Sequence, residues 1–178
     1  PGDYLEFGVA RGTSFITAFD MMQEVRPGQA SRFHAFDSFE GLPETEGHFE
    51  ANDMAYSEAI FSKYIEKAGV DMSRVTRTKG YFERDKTAKA IAALDLTPGA
   101  HVVHIDCDLY VSTVEVLKAI EGILEPGSVL IFDDWYSFDR EDQPDQHGEQ
   151  KAFAEWALRD RFAVLKDTPN WNVAFQMS

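Results

Sequence analysis

The chain has 178 residues, 44% apolar and 27% charged, which suits one folded domain, residues 1–178, and excludes a disordered segment. Its 31 acidic residues against 17 basic ones give a net charge of −14, a field that repels phosphate backbones and anionic membrane surfaces. The single cysteine, Cys107, excludes an intrachain disulfide framework, and no apolar run approaches the roughly 20 residues that span a bilayer.

Neither nucleic acid nor membrane is therefore expected as a partner, and with no leader pattern in view the expected location is cytoplasmic. The chain opens at Pro1-Gly2-Asp3 without a methionine and is read as a piece of a longer protein.

Residues 4–8 read as a short strand running into a glycine turn. Phe15, Ile16, Phe19, Met22 and Val25 recur near a 3.6-residue period and predict a helix over 13–25. A second strand over 32–36 ends at Asp37, followed by a long loop with Gly41, Pro43 and Gly47. Ile60, Phe61, Tyr64 and Ile65 predict a helix over 57–68, then a weak strand over 74–78 and an Ala-rich helix over 84–94.

After the Pro98-Gly99 turn, residues 100–105 are almost wholly apolar, as a parallel strand covered on both faces should be. A helix over 113–124 stops at Pro126-Gly127, a second buried strand runs over 128–132, and a helix runs over 148–161. The strands expected over 162–165 and 172–176 leave no room for a helix and should form an antiparallel hairpin at one edge. Alternating strands and helices predict an α/β fold built on a mostly parallel sheet.

Glu6-Phe7-Gly8-Val9-Ala10-Arg11-Gly12 fits Glu-x-Gly-x-x-x-Gly between the first strand and its helix, unlike the Gly-x-Gly-x-x-Gly of dinucleotide sites. Such a turn brings backbone close to a ligand and presents a helix N-terminus to an anionic group. Asp37, at the tip of the second strand, is placed to accept ribose hydroxyls. Together they suggest an adenosyl ligand with a carboxylate, which S-adenosylmethionine fits. The plainer reading of Gly8 and Gly12 is a tight strand-to-helix turn.

Ile105-Asp106-Cys107-Asp108 follows the fourth strand and Phe132-Asp133-Asp134-Trp135 the fifth. Parallel strands open on one side, so four carboxylates converge there. Oxygen-only ligands indicate Mg²⁺, Ca²⁺ or Mn²⁺, with Asp106, Asp133 and Asp134 as the metal ligands. The alternative is that some of them cap helices or pair with cations. Asp133 and Asp134 are adjacent and point opposite ways in extended chain, so a turn must bring them together. Cys107 reads as a buried spacer and His34 and His104 as core histidines, while His147 in the following loop could face a substrate.

These stretches resemble the metal-dependent O-methyltransferases related to the macrocin and mycinamicin sugar methyltransferases. The shared runs are Leu5 to Gly12, Asp37-Ser38-Phe39-Glu40-Gly41-Leu42-Pro43, Lys79-Gly80-Tyr81-Phe82, Ile105 to Thr113, and Asp133-Asp134-Trp135. The resemblance implies a class I methyltransferase sheet of order 3-2-1-4-5-7-6 with strand 7 antiparallel. It further implies S-adenosylmethionine as donor, Mg²⁺ as the metal, and a small hydroxylated acceptor with neighbouring oxygens, such as a sugar or catechol.

By position, the resemblance assigns Glu6, Gly8, Gly12, Asp37, Ser38, Gly80, Tyr81 and Asp106 to donor binding. It assigns Asp106, Asp133 and Asp134 to the metal, and Asp108, beside Asp106, to proton removal. Cys107 and Tyr81 depart from the family's glycine and tryptophan. Family members carry a segment before the first strand that covers the site and makes oligomer contacts. That N-terminal cap is expected to be absent from this chain, and a homo-oligomer is open.

Two other readings stand beside this one. A donor-binding scaffold would keep Glu6, Gly8 and Asp37 without needing all the carboxylates. Asp-x-Asp with a later Asp-Asp also resembles haloacid-dehalogenase-type phosphatases, but those carry the first motif on the opening strand.

Overall fold

Seven strands and five α-helices make up the computed structural model, which describes residues 2–28, 31–99, 101–139 and 144–178. Strand β1 (Tyr4–Phe7) leads through the glycine turn to α1 (Thr13–Val25), and β2 (Phe33–Asp37) through the long loop to α2 (Glu58–Lys67). Then come β3 (Val75–Lys79), α3 (Arg84–Ala92), β4 (Val102–Ile105), α4 (Tyr110–Ile120), β5 (Val129–Phe132), α5 (Gly148–Glu155), β6 (Phe162–Thr168) and β7 (Asn172–Met177). All seven strands form one sheet of order β3-β2-β1-β4-β5-β7-β6. Strand β7 pairs antiparallel with β5 and β6, and the other pairings are parallel. This is the expected order, including the terminal hairpin.

Alternation along the strands sorts side chains onto two layers. Leu5, Phe7, Val103, Ile105, Leu130, Phe132 and Phe175 bury against one core cluster that also holds Val116, Leu117 and Ile120 of α4 and Phe153 of α5. Tyr4, Phe33 and Ala35 face the other way, onto Phe15 and Phe19 of α1 and Phe61 and Ile65 of α2. The register aligns Glu6 with His104, so one polar pair lies between Ala35 of β2 and Ile131 of β5.

Helix α4 begins at Tyr110, earlier than the expected 113, because Asp108 turns the chain through φ +59° and Leu109 takes the N-cap position. Helix α5 ends at Glu155, well short of 161. Trp156 is extended at φ −72°, ψ 134°, buries its ring in the core and donates Nε1–H to Glu121 Oε1 at 2.9 Å. A buried tryptophan anchored to another element overrides the helical pattern there. Strand β6 runs beyond 165, across a register shift between Val164 and Lys166. Residue 100, the expected start of β4, lies outside the described residues, as do residues 140–143 of the second acidic loop. Among the described residues no helix is long and apolar enough to cross a membrane.

Candidate functional site

The C-terminal tips of β1, β2 and β4 border a cavity lined among others by Gly8, Asp37, Ser38, Tyr81, Asp106 and Asp108. A larger open cleft, bordered by α1, β4 and β5, takes in His104, Asp106 and Asp133. Asp106 lines both.

Gly8 has φ +87°, and a Cβ there would lie 1.7 Å from the Asp106 carbonyl oxygen. The glycine is required because β1 and β4 exit side by side. Gly12, also at φ +87°, faces Ile65 and Phe61 of α2, where a Cβ would come within 2.9 and 3.0 Å, and it does not line the cavity. At Gly12 the constraint is helix packing, a role the sequence reading did not include.

Asp37 Oδ2 accepts the Val9 and Ala10 backbone N–H groups at 2.8 and 3.1 Å, and Oδ1 accepts Phe39 N–H at 2.6 Å. The carboxylate thus holds the glycine turn, and by lone-pair count Oδ1 keeps room for one further donor. Ser38 Oγ donates to Gly41 carbonyl oxygen and accepts Glu40 N–H, bracing the same loop. Tyr81 lines the cavity and Gly80 does not. Glu6 is fully buried and accepts from Ser14 Oγ at 2.7 Å and from the Tyr4 hydroxyl, with His104 Nδ1 at 3.6 Å. Both its oxygens therefore have partners inside the protein.

The carboxylates beyond β4 and β5 divide into two sets. Asp106, Asp108 and Asp134 each bring a carboxylate oxygen within 4.8 Å of the others. Asp133 turns to the opposite face, its Oδ1 3.5 Å from His104 Nε2. Strand parity accounts for the split between Asp133 and Asp134: Asp133 continues the face of Ile131, which is aligned with His104, and Asp134 the face of Phe132, whereas Asp106, which by parity follows His104, turns to Asp134 past the end of β4. His104, expected as a core histidine, is buried and also ionic. Burial opposes its charge, but hydrogen bonds to Asp133 and Glu6 and the nearby carboxylates push its pKa up to about 10. The same contact with His104 lowers Asp133.

Among the described residues, no ion pair joins the other set to a Lys, Arg or His, though the His104 charge tends to lower Asp106. Burial, then the charge of Asp134 and a hydrogen bond with it, pushes Asp108 up to about 9. Burial and the mutual repulsion of the carboxylates also raise Asp106 and Asp134. Ser137 Oγ donates to Asp134 Oδ1 at 2.8 Å, while Oδ2 is buried without a partner. Asp108 sits in the left-handed region at φ +59°, a conformation that aspartate tolerates better than most residues. Three converging oxygens, raised pKa values and an orphaned oxygen suit a hard divalent cation. Cys107 is buried, with Sγ 3.4 Å from the Phe7 carbonyl oxygen, as a spacer should be.

Two acids escaped the sequence reading. Glu149, in the first turn of α5, is 1% exposed; its Oε2 accepts Asp134 N–H at 3.0 Å and its Oε1 has no partner. Burial, then Asp134, Asp106 and Asp108, pushes its pKa well up. Glu46 accepts Tyr110 N–H at 2.7 Å through Oε2 and Gly148 N–H at 3.0 Å through Oε1. It ties the long loop after β2 to the starts of α4 and α5. Neither has a sequence signal beyond an acid in a loop or first helical turn.

His147 lies 3.6 Å from Glu46 through Nδ1 and stacks on Phe138 at 5.2 Å. Of the loop aromatics, Phe39, Phe49 and Phe138 are buried anchors, Trp135 packs on Phe132, Phe153 and Phe175, and the Tyr136 hydroxyl donates to Asp167.

A family described as macrocin-O-methyltransferase (TylF) matches residues 1–147. An 8-demethyl-8-(2,3-dimethoxy-alpha-L-rhamnosyl)-tetracenomycin-C 4'-O-methyltransferase from Streptomyces olivaceus is 32% identical over 146 residues, which are 76% of this chain and 53% of its own. The chain thus spans about half the length of that curated relative. Among solved structures, the calicheamicin methyltransferase CalS11 superposes with a TM-score of 0.77 at 23% identity, covering 99% of this chain and 72% of CalS11. The O-methyltransferase TomG from Streptomyces achromogenes, in complex with SAM, superposes with a TM-score of 0.60 at 15% identity, covering 99% and 73%.

Proposed function

Because the chain belongs to the macrocin O-methyltransferase (TylF) family, we propose that it is the catalytic portion of an S-adenosylmethionine-dependent O-methyltransferase. Its acceptor is a hydroxyl on the sugar of a natural product, in keeping with the rhamnosyl substrate in the relative's name. The observation that carries the reading is the meeting of Asp106, Asp108 and Asp134 beside a cavity that also contains Asp37. The phosphatase alternative needs its Asp-x-Asp on the opening strand, whereas here the motif follows β4.

Asp37, fixed by three backbone N–H groups, keeps one lone pair for a ribose hydroxyl, with Tyr81 and Phe82 beside the cavity as apolar surface for a base. Asp106 and Asp134 would hold Mg²⁺ together with Asp108 as these side chains lie, or with Asp133 once it leaves His104. Mg²⁺ bound there would supply the charge that returns these carboxyls to their ionised form and acidifies a neighbouring acceptor hydroxyl. With Asp133 as the third ligand, Asp108 stays free to accept the hydroxyl proton. The acceptor oxygen forms its bond to the donor methyl carbon as the sulfur–carbon bond breaks and its electron pair stays with sulfur. Phe49 and Phe138 pack with Leu109 and with Leu42, which lines the cavity, and so back the loop that borders it.

Methyl transfer from labelled S-adenosylmethionine to a rhamnosyl-tetracenomycin C acceptor should require divalent metal and stop with EDTA. Full turnover in EDTA would refute the metal role. Donor binding by calorimetry without turnover on any glycosylated acceptor would instead favour the scaffold.

A further inference from the structure

Glu149 and Gln150, consecutive in α5, grip the chain leaving β5 at two peptide groups, 133–134 and 135–136. Glu149 Oε2 accepts the Asp134 N–H at 3.0 Å, and Gln150 Nε2 donates to the Trp135 carbonyl oxygen at 2.5 Å. The first contact fixes the peptide entering Asp134 and the second the peptide leaving Trp135, so the two-residue stretch that carries the Asp134 carboxylate is held at both ends. Helix α5 is itself held in place: Gly148 N–H reaches Glu46, and at Gly148 a Cβ would come within 2.5 Å of the Phe138 ring.

We propose that Glu149 is a positioning residue, whose acceptance of the Asp134 N–H turns Asp134 toward Asp106 and Asp108 while Asp133 turns to His104. This rests on the metal reading above, because the property it serves is the affinity of the carboxylate group for a divalent cation. The geometry asks for an acceptor at the Asp134 N–H and asks nothing of the charge. A glutamine keeps that acceptor, and an alanine or methionine removes it.

The test titrates Mn²⁺ into the wild-type protein, Glu149→Gln and Glu149→Ala, followed by water-proton relaxation, with the Asp134 amide proton observed by NMR. If Glu149→Ala does not fold by circular dichroism, Glu149→Met, which preserves the volume, takes its place. Glu149→Gln should hold Mn²⁺ within about threefold of wild type, and the variant lacking the acceptor should lose on the order of tenfold or more. Its Asp134 amide resonance should move upfield, while that of Glu149→Gln stays.

Equal affinity in all three proteins overturns the proposal. So does a loss in Glu149→Gln as large as in Glu149→Ala, since the charge would then matter and the acceptor would not. Failure of the wild type to hold Mn²⁺ sinks the metal reading instead. The amide then decides alone: movement only in the variant lacking the acceptor upholds the positioning role, and an unmoved amide in every variant refutes it.

Discussion

The two ends of the sheet each bury carboxylates, and they treat them in opposite ways. At the N-terminal ends of the strands, Asp3 is fully buried yet accepts Arg32 N–H at 3.0 Å and Thr97 N–H at 2.9 Å, beside Arg32 Nη2 and His34 Nε2, both at 3.3 Å. Burial tends to raise its pKa, but those donors outweigh it and the net shift is downward. At the C-terminal ends, Asp106, Asp108, Asp134 and Glu149 share few donors, and all four are shifted upward. A buried acid surrounded by donors holds a fold together. A group of buried acids with orphaned oxygens destabilises it and is kept for something that binds.

The largest effects should come from removing one acid at each end. Asp134→Ala should cut methyl transfer on the order of 10³-fold or more, because several kcal/mol of charge stabilisation is lost with the ion. Its metal-free stability in urea should hold or rise, since a mutually repelling carboxyl is gone. Asp3→Ala should do the reverse. It leaves Arg32 and His34 without their buried partner and should cost about 3 kcal/mol, lowering Tm by roughly 6–12 °C, with turnover per folded molecule unchanged. Equal destabilisation by both substitutions would erase the contrast.

The pH dependence of metal-free stability should separate the ends next. Asp108, raised to about 9, contributes stability that is complete below the unfolded carboxylate range and is lost as pH climbs through about 9. Asp106, Asp134 and Glu149 act in the same sense, and His104, raised to about 10, adds a loss from its unfolded value upward. Asp3 has the opposite sign, being lowered: its contribution stands above its unfolded value and disappears as pH falls through the folded one. Metal-free protein should therefore melt at a lower temperature at pH 9 than at pH 6. Saturating Mg²⁺ should reverse that slope, adding about 2.7 kcal/mol at a hundredfold excess over Kd. A flat profile without metal would mean that the acids at the C-terminal end are better compensated than their geometry indicates.

How much of this was legible in the sequence follows from what repeats and what does not. Strand order and the terminal hairpin rest on element spacing, and Asp106 and Asp37 rest on being strand tips, so all were readable. The opposite facing of Asp133 and Asp134 follows from alternation, but that Asp133 meets His104 depends on the β4–β5 register, which a single chain does not display. Glu149 looks like any acid in a first helical turn, and its burial comes from where α5 docks. Gly12 fits a binding motif by spacing, yet its neighbours are Phe61 and Ile65 from a helix more than forty residues away. Local pattern reached the elements and their tips, and docking decided which tip residues meet.

The smallest effect should come from Glu46, a carboxylate between the two extremes. It is 17% exposed on its side chain, and it accepts the first N–H groups of α4 and α5, as an N-cap does, but from a distant loop. Such an acceptor should be worth about 1 kcal/mol. Glu46→Gln keeps one oxygen acceptor but turns an amide NH₂ against the second backbone N–H, so urea unfolding should show that order of loss. The loop carrying Glu46 also supplies Leu42, Pro43 and Met54 to the cavity wall. Donor affinity by calorimetry should therefore weaken a few-fold, while Mn²⁺ affinity at Asp106 and Asp134 stays. If Mn²⁺ affinity fell as far as donor affinity, Glu46 would belong with the uncompensated acids, and the division between the two ends would need to be redrawn around a larger group at the C-terminal end.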